Sequence, residues 1–336
     1  MVHFAEVTDK ALKESESSYF NGKVPAFAGT FSKKSEAGAT RLIRTVCKVF
    51  SFGGCHGPFM TYIKQKLEDK HMHSFPLTPF RGNRFNILFH NAAVLFFFHE
   101  DLKAFLQNHG GNAWVLFDLN ISFFIAGCKA LGLICKFITT PLWNLIERKD
   151  TKILQMNAYY LQLTTLLGQT AVDVDFMTGQ SLPFGQNTQV KKDAIYDALI
   201  KQSDFDGDTA TILGVILPAL AKFSKKFFKD HLPGGKFEDP SEAIIAETSG
   251  TAKHNKFSET LLAYFDGLMR YKPHLKTLSA EAYVMFAQNR TKEWLDSKDE
   301  VQKKELAEAY KKVGKIRKLF KSRLNVIKER KQELLT

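Results

Sequence analysis

The chain has 336 residues, 44% of them hydrophobic and 30 of them Phe, which suffices for one large or two smaller cores and excludes wholesale disorder. Lys and Arg outnumber Asp and Glu by 47 to 35, a net charge of +12 that favours polyanionic partners, nucleic acid before an anionic membrane, and that also serves plain solubility. Four cysteines do not make a disulfide framework here, and Cys128 and Cys135, seven apart in an apolar stretch, read as reduced core residues of a cytosolic or nuclear protein.

The first residues, Met1-Val-His-Phe-Ala-Glu6, have no basic region followed by an apolar run, so no signal peptide is expected. Residues 1–40 are rich in Ser, Lys and Gly and read as a polar tail or truncated edge, with one short helix near 5–18. Residues 41–50 look helical and are ended by Gly53, Gly54, Gly57 and Pro58; a second short helix follows near 59–70, then an extended connection, His73–Pro79. From Phe85 onward Leu88, Ala92, Leu95, Phe96, His99, Leu102 and Leu106 recur at three- and four-residue spacing, which predicts a helix closed by His109-Gly-Gly111. The stretch 113–147 is apolar nearly all round and marks the middle of the core, with Pro141 dividing it.

Another helix is expected over 151–168, a loop over 173–188, and helices over 191–201 and 209–229 on either side of the acidic turn Ser203–Asp208. The Pro/Gly connection 232–240 is the predicted domain boundary. A short helix starts at Ser241, a loop covers 248–256, and helices follow over 258–271 and 279–295. One long helix is predicted over 299–334, opened by an Asp299/Gln302 capping box. The expected class is therefore mainly α: a polar tail (1–40), a helical body (41–240), the C-terminal helices of that body (241–296), and a long basic helix (297–336). No membrane partner is expected, because 85–98 is too short to span, and Asp118, Asn120, Lys129 and Lys136 interrupt 113–143.

Cys47, Cys55, His56, His71 and His73 form the one cluster of metal-ligand chemistry, but the cysteine spacing is not that of a zinc site, and core cysteines with exposed histidines fit better. In Asp204-Phe-Asp-Gly-Asp208 glycine stands fourth rather than sixth and Val215 occupies the twelfth position, so an acidic turn fits better than a calcium loop. No Walker loop, GxGxxG, GxSxG or HExxH motif occurs. Lys311, Lys312, Lys315, Arg317, Lys318, Lys321, Arg323, Lys328, Arg330 and Lys331 crowd a stretch whose acids are Glu329 and Glu333. Leu306, Tyr310, Val313, Phe320, Leu324 and Ile327 form an apolar stripe among them. One face would pack and the other present cations to phosphates, the plain alternative being a solvated helix face.

Three stretches carry a family resemblance: Phe80-Arg-Gly-Asn-Arg-Phe-Asn-Ile-Leu-Phe-His90, Phe124–Ile134, and Asn255-Lys-Phe-Ser-Glu259 with Asp266–Arg270. Over residues 80–296 the chain resembles transposase-like proteins derived from hAT-type DNA transposons. The resemblance implies a ribonuclease H-like α/β core interrupted by a helical insertion, with two Asp and one distant Glu holding divalent metal for phosphoryl transfer. Glu259 in Ser258-Glu259-Thr260 matches the family glutamate, with Ser258 as helix cap and Asp266 seven residues on, although the Arg that follows in the family is missing. Only Asp9 and Asp69 precede residue 84, neither in a strand-like setting, and no BED-type zinc finger precedes them.

One carboxylate cannot build a two-metal site. The chain therefore looks like the C-terminal part of such a protein, a remnant without catalysis whose residual activity is nucleic-acid binding, DNA before RNA, in the nucleus. Self-association is a further expectation. No cofactor is expected; magnesium enters only if a partner chain supplies the missing carboxylates. A helical interaction scaffold is the rival reading.

Overall fold

The computed structural model describes residues 2–27, 36–51, 54–80, 86–169, 174–180, 184 and 190–333. The described residues form helices and no strand, and they divide into two compact units, Met1–Lys253 and His254–Thr336. Mainly α is therefore the observed class.

The first unit opens with α1 (Val2–Tyr19), α2 (Gly38–Phe50), α3 (His56–Tyr62) and α4 (Lys64–Asp69). The polar-tail reading of 1–40 is corrected for α1: Phe4, Thr8, Ala11, Leu12, Ser15 and Glu16 are buried along one face, which packs on the later helix Asp206–Phe227. Glu16 fixes the junction with α2, accepting the backbone N–H groups of Gly38 (2.6 Å) and Ala39 (2.8 Å), while Asp9 accepts that of Ala37 (3.0 Å). A carboxylate on the orphan donors of a helix's first turn is where the helix dipole favours it. The composition of 1–40 concealed this because the buried face is itself half polar.

Next come α5 (Ile87–His109), α6 (Ala113–Leu119) and α7 (Ser122–Ile134), then a π-helical turn (Cys135–Thr139) running into α8 (Thr140–Glu147). Gly110 takes φ +70° where α5 was expected to close. Helix α7 is the centre of the unit, touching α2, α5 and the later helices Ala194–Ile200 and Asp206–Phe227, and every residue from Phe123 to Ile134 is buried. Glycines permit that closeness: a Cβ at Gly127 would lie 2.9 Å from Cβ of Ala39, and one at Gly132 3.0 Å from Cα of Ala93. Pro141 marks a change within the stretch without ending the helical run. It sits at the start of α8, and the preceding turn widens to accommodate the carbonyl that proline cannot satisfy. The run Ser122–Glu147 is long and apolar enough to cross a membrane by length and composition, and 89% of its most apolar window is buried inside the unit.

The unit continues with α9 (Met156–Gln169), α10 (Val174–Thr178), α11 (Ala194–Ile200), α12 (Asp206–Phe227) and α13 (Glu242–Thr248). Two ion pairs tie distant segments: the buried pair Arg41 to Asp118 (2.7 Å), and buried Lys129, 1% exposed, to the half-buried Asp206 (2.5 Å). The boundary expected at 232–240 is not one. Asn157 donates from Nδ2 to the carbonyl of Phe237 (2.6 Å), Phe237 N–H donates to Asp230 O (2.7 Å), and Tyr160 stacks on Phe228 at 4.0 Å, so this connection is stitched to α9. Lys253 closes the unit by donating to the carbonyls of Leu145 (3.3 Å) and Arg148, at the C-terminus of α8.

The second unit holds α14 (Lys256–Tyr271), α15 (Thr277–Gln288), α16 (Thr291–Asp296), α17 (Glu300–Lys311) and α18 (Val313–Glu333). The helix expected over 279–295 is parted into α15 and α16 by Arg290 in the left-handed region (φ +49°). Helix α14 packs on α15, α15 on α16, and α17 on α18, with Ala280 buried.

Candidate nucleic-acid interface

The single helix expected over 299–334 is two helices, with residues 334–336 outside the described set. The predicted capping box opens α17: Gln302 N–H donates to Asp299 Oδ1 (2.8 Å), and the Asp299 N–H reaches Gln302 Oε1 (3.4 Å). At Lys312 the N–H turns back to Ala309 O (3.1 Å), ending α17, and α18 begins one residue later. Gly314 in the first turn of α18 explains the weak point, since glycine costs about 1 kcal/mol against alanine inside a helix.

The ten predicted cations divide accordingly. Lys311 ends α17 and pairs with Glu308 (2.6 Å), Lys312 sits at the break, and Lys315, Arg317, Lys318, Lys321, Arg323, Lys328, Arg330 and Lys331 lie on α18. All ten are exposed. Among the described residues, the nine other than Lys311 have no ion pair within the chain. At about 1.5 Å per residue α18 is about 31 Å long, roughly the rise of nine base pairs. Exposed cations without partners over that length create a positive field that a chain of phosphates can neutralise.

The apolar stripe is differently arranged from the expectation. Leu306 and Tyr310 belong to α17, and no residue of α18 is buried: Ile316, Leu324 and Ile327 are 51%, 40% and 50% exposed. Ile316 was missed, although its place three residues after Val313 and four before Phe320 is the spacing that defines the stripe.

Glu259 lies exposed in the first turn of α14. Ser258 does not cap that helix, because α14 begins at Lys256 with Asn255 before it, which puts Ser258 inside the helix. Asp266 pairs with Arg270 (2.7 Å) on the solvent side. Among the described residues no group of three His, Cys, Asp or Glu side chains is placed to hold a metal ion. Cys47 is buried in the core, where burial pushes its thiol up to about 12, so in the chain as it stands it is a neutral core thiol near neutrality. His56 bonds through Nδ1 to the carbonyl of Phe50 (2.7 Å). In the acidic turn, Asp206 neutralises Lys129, accepts from Ser203 Oγ (3.0 Å), and has its carboxyl held below the ordinary range despite desolvation by the Lys129 and Ser203 hydrogen bonds. In the Phe80–His90 stretch, residues 81–85 fall outside the described set.

Comparison with protein-family models, with curated proteins and with solved structures gave no match.

Proposed function

We propose that the chain is a transposable-element-derived nuclear protein without catalysis, and that α18 with the end of α17 binds the phosphate backbone of nucleic acid, DNA in preference to RNA. In this reading the helices are the insertion and C-terminal part of an interrupted ribonuclease H-like core. One observation carries the binding element: nine exposed cations lie between Lys312 and Lys331 against a single acid in that stretch, Glu329. Backbone neutralisation is sequence-independent and steeply salt-dependent.

The test is binding of labelled duplex DNA and single-stranded RNA across a salt series, with and without residues 299–336. Steep salt dependence that disappears on truncation supports the reading. Binding that survives truncation with an unchanged slope, or none at low salt, defeats it and leaves the helical scaffold.

A second reading rests on Glu259, which is exposed and in no ion pair among the described residues. A partner chain could bring carboxylates to it and complete a magnesium-dependent nuclease. Magnesium-dependent DNA cleavage by the full chain, abolished by Glu259→Gln, would establish that reading over the first.

A further inference from the structure

Helix α18 carries a second feature that phosphate binding does not use. Val313, Ile316, Phe320, Leu324 and Ile327 step by three, four, four and three residues, so they share one seam along the helix. At 100° per residue the seam subtends an arc of roughly 80°. Val313 and Phe320 are half-buried, the other three are exposed, and nothing on α18 is buried. Cations border the seam on both sides: Arg317, Lys321 and Lys328 on one flank, Arg323 and Arg330 on the other.

The borders decide which occupant fits. A second copy of α18 would set cation-lined flanks against cation-lined flanks, so self-pairing through this seam meets like-charge repulsion along its length. A duplex satisfies the cations but leaves the five apolar side chains in water, since phosphates and base edges offer little apolar surface for them. A bilayer interface rewards an unbroken apolar face; Leu319 and Val326 are exposed on α18 as well, but Arg323 and Arg330 lie between them and the seam. A groove with an apolar floor and acidic rims matches all three properties: the anchors at three- and four-residue spacing, the narrow arc, and cations on either border.

We infer that α18 is a helix-in-groove ligand for an acidic protein whose groove has an apolar floor. This inference does not rest on the nucleic-acid reading, but the two share cations, so such a partner and DNA would exclude one another. The protein would then be released from nucleic acid by an acidic partner as well as by salt.

The experiment uses the full chain and calcium-loaded calmodulin as the probe, since its opened groove is methionine-lined and acidic, and calcium removal closes the groove while keeping the acidic surface. Calorimetric titration is run with calcium and with a chelator, on the wild type and on Leu324→Ala/Ile327→Ala. Both replaced side chains are at least 40% exposed, so the chain's fold does not depend on them. The expected result is calcium-dependent binding that the double variant weakens at least about 10-fold, while duplex DNA binding of the variant is unchanged. Equal binding with and without calcium would reduce the contact to charge alone and overturn the inference. So would wild-type affinity in the double variant, or no binding to calmodulin, including a case where vesicles containing phosphatidylserine bind through the seam instead. Loss of DNA binding in the wild type would sink the nucleic-acid reading and leave this one standing.

Discussion

Asp206, at the start of α12, lies 2.5 Å from the ammonium of Lys129, which is 1% exposed in the middle of α7. The same ammonium donates to Lys201 O and Ser203 Oγ, both at 2.9 Å, so all three of its protons are used. Asp206→Asn removes the carboxylate that pairs with a charge that cannot reach water. We expect a loss of about 2 kcal/mol, read as a lower urea midpoint at unchanged slope, with Lys129→Met costing less because no buried charge remains.

Glu16 makes folding pH-dependent. Desolvation raises its carboxyl from 4.5 to about 7 against the Gly38 and Ala39 N–H groups and Arg41, which pull the other way; Asp9 adds to the rise. The folded chain therefore holds a proton that the unfolded chain has released between pH 4.5 and 7. Its stabilising contribution is complete below about 4.5 and is lost as pH rises through 7. Between about pH 5.5 and 7.5 the wild type should lose roughly 5 °C in Tm relative to Glu16→Gln, whose difference curve removes the histidines from the comparison. Parallel curves for the two proteins would refute the assignment.

Gly132 sets the distance between α7 and α5. With Cβ of alanine 3.0 Å from Cα of Ala93 and 2.7 Å from Leu199 Cδ2, Gly132→Ala should cost about 2 kcal/mol in a denaturant titration. Gly267, with nothing within 4 Å of an added Cβ, should accept alanine with unchanged or raised stability.

The basic helix should lose phosphate contacts in proportion to charge. Lys318, Lys321 and Arg323 replaced together by Gln should flatten the plot of log K against log salt by up to about 2.7, since each phosphate contributes about 0.9 on a duplex. An unchanged slope would place the contacts elsewhere.

Much of the fold was legible because apolar spacing and glycine stops are local. The span of α5, the burial of α7 and the capping box of α17 all follow from residues within one or two turns of each other. What failed was long-range. Nothing near Phe4 or Glu16 announces that α1 is covered by α12, and the pattern of residues 232–240 looks like a linker because its partner, Asn157, lies about eighty residues upstream of Phe237. The cations of α18 were readable one by one. Their division from α17 at Lys312, and the exposure of the seam between them, came from the structure alone.

Lys253 places the seam between the two halves of the gene product. Its side chain belongs wholly to what precedes it, sealing the end of α8, and three residues later α14 starts a separate body. A fragment stopping at 240 would leave the carbonyls of Leu145 and Arg148 open to water, whereas one running through 253 carries its own closing stitch. Any dissection of the molecule into a folded N-terminal piece and a cation-bearing C-terminal piece should therefore be made between 253 and 256.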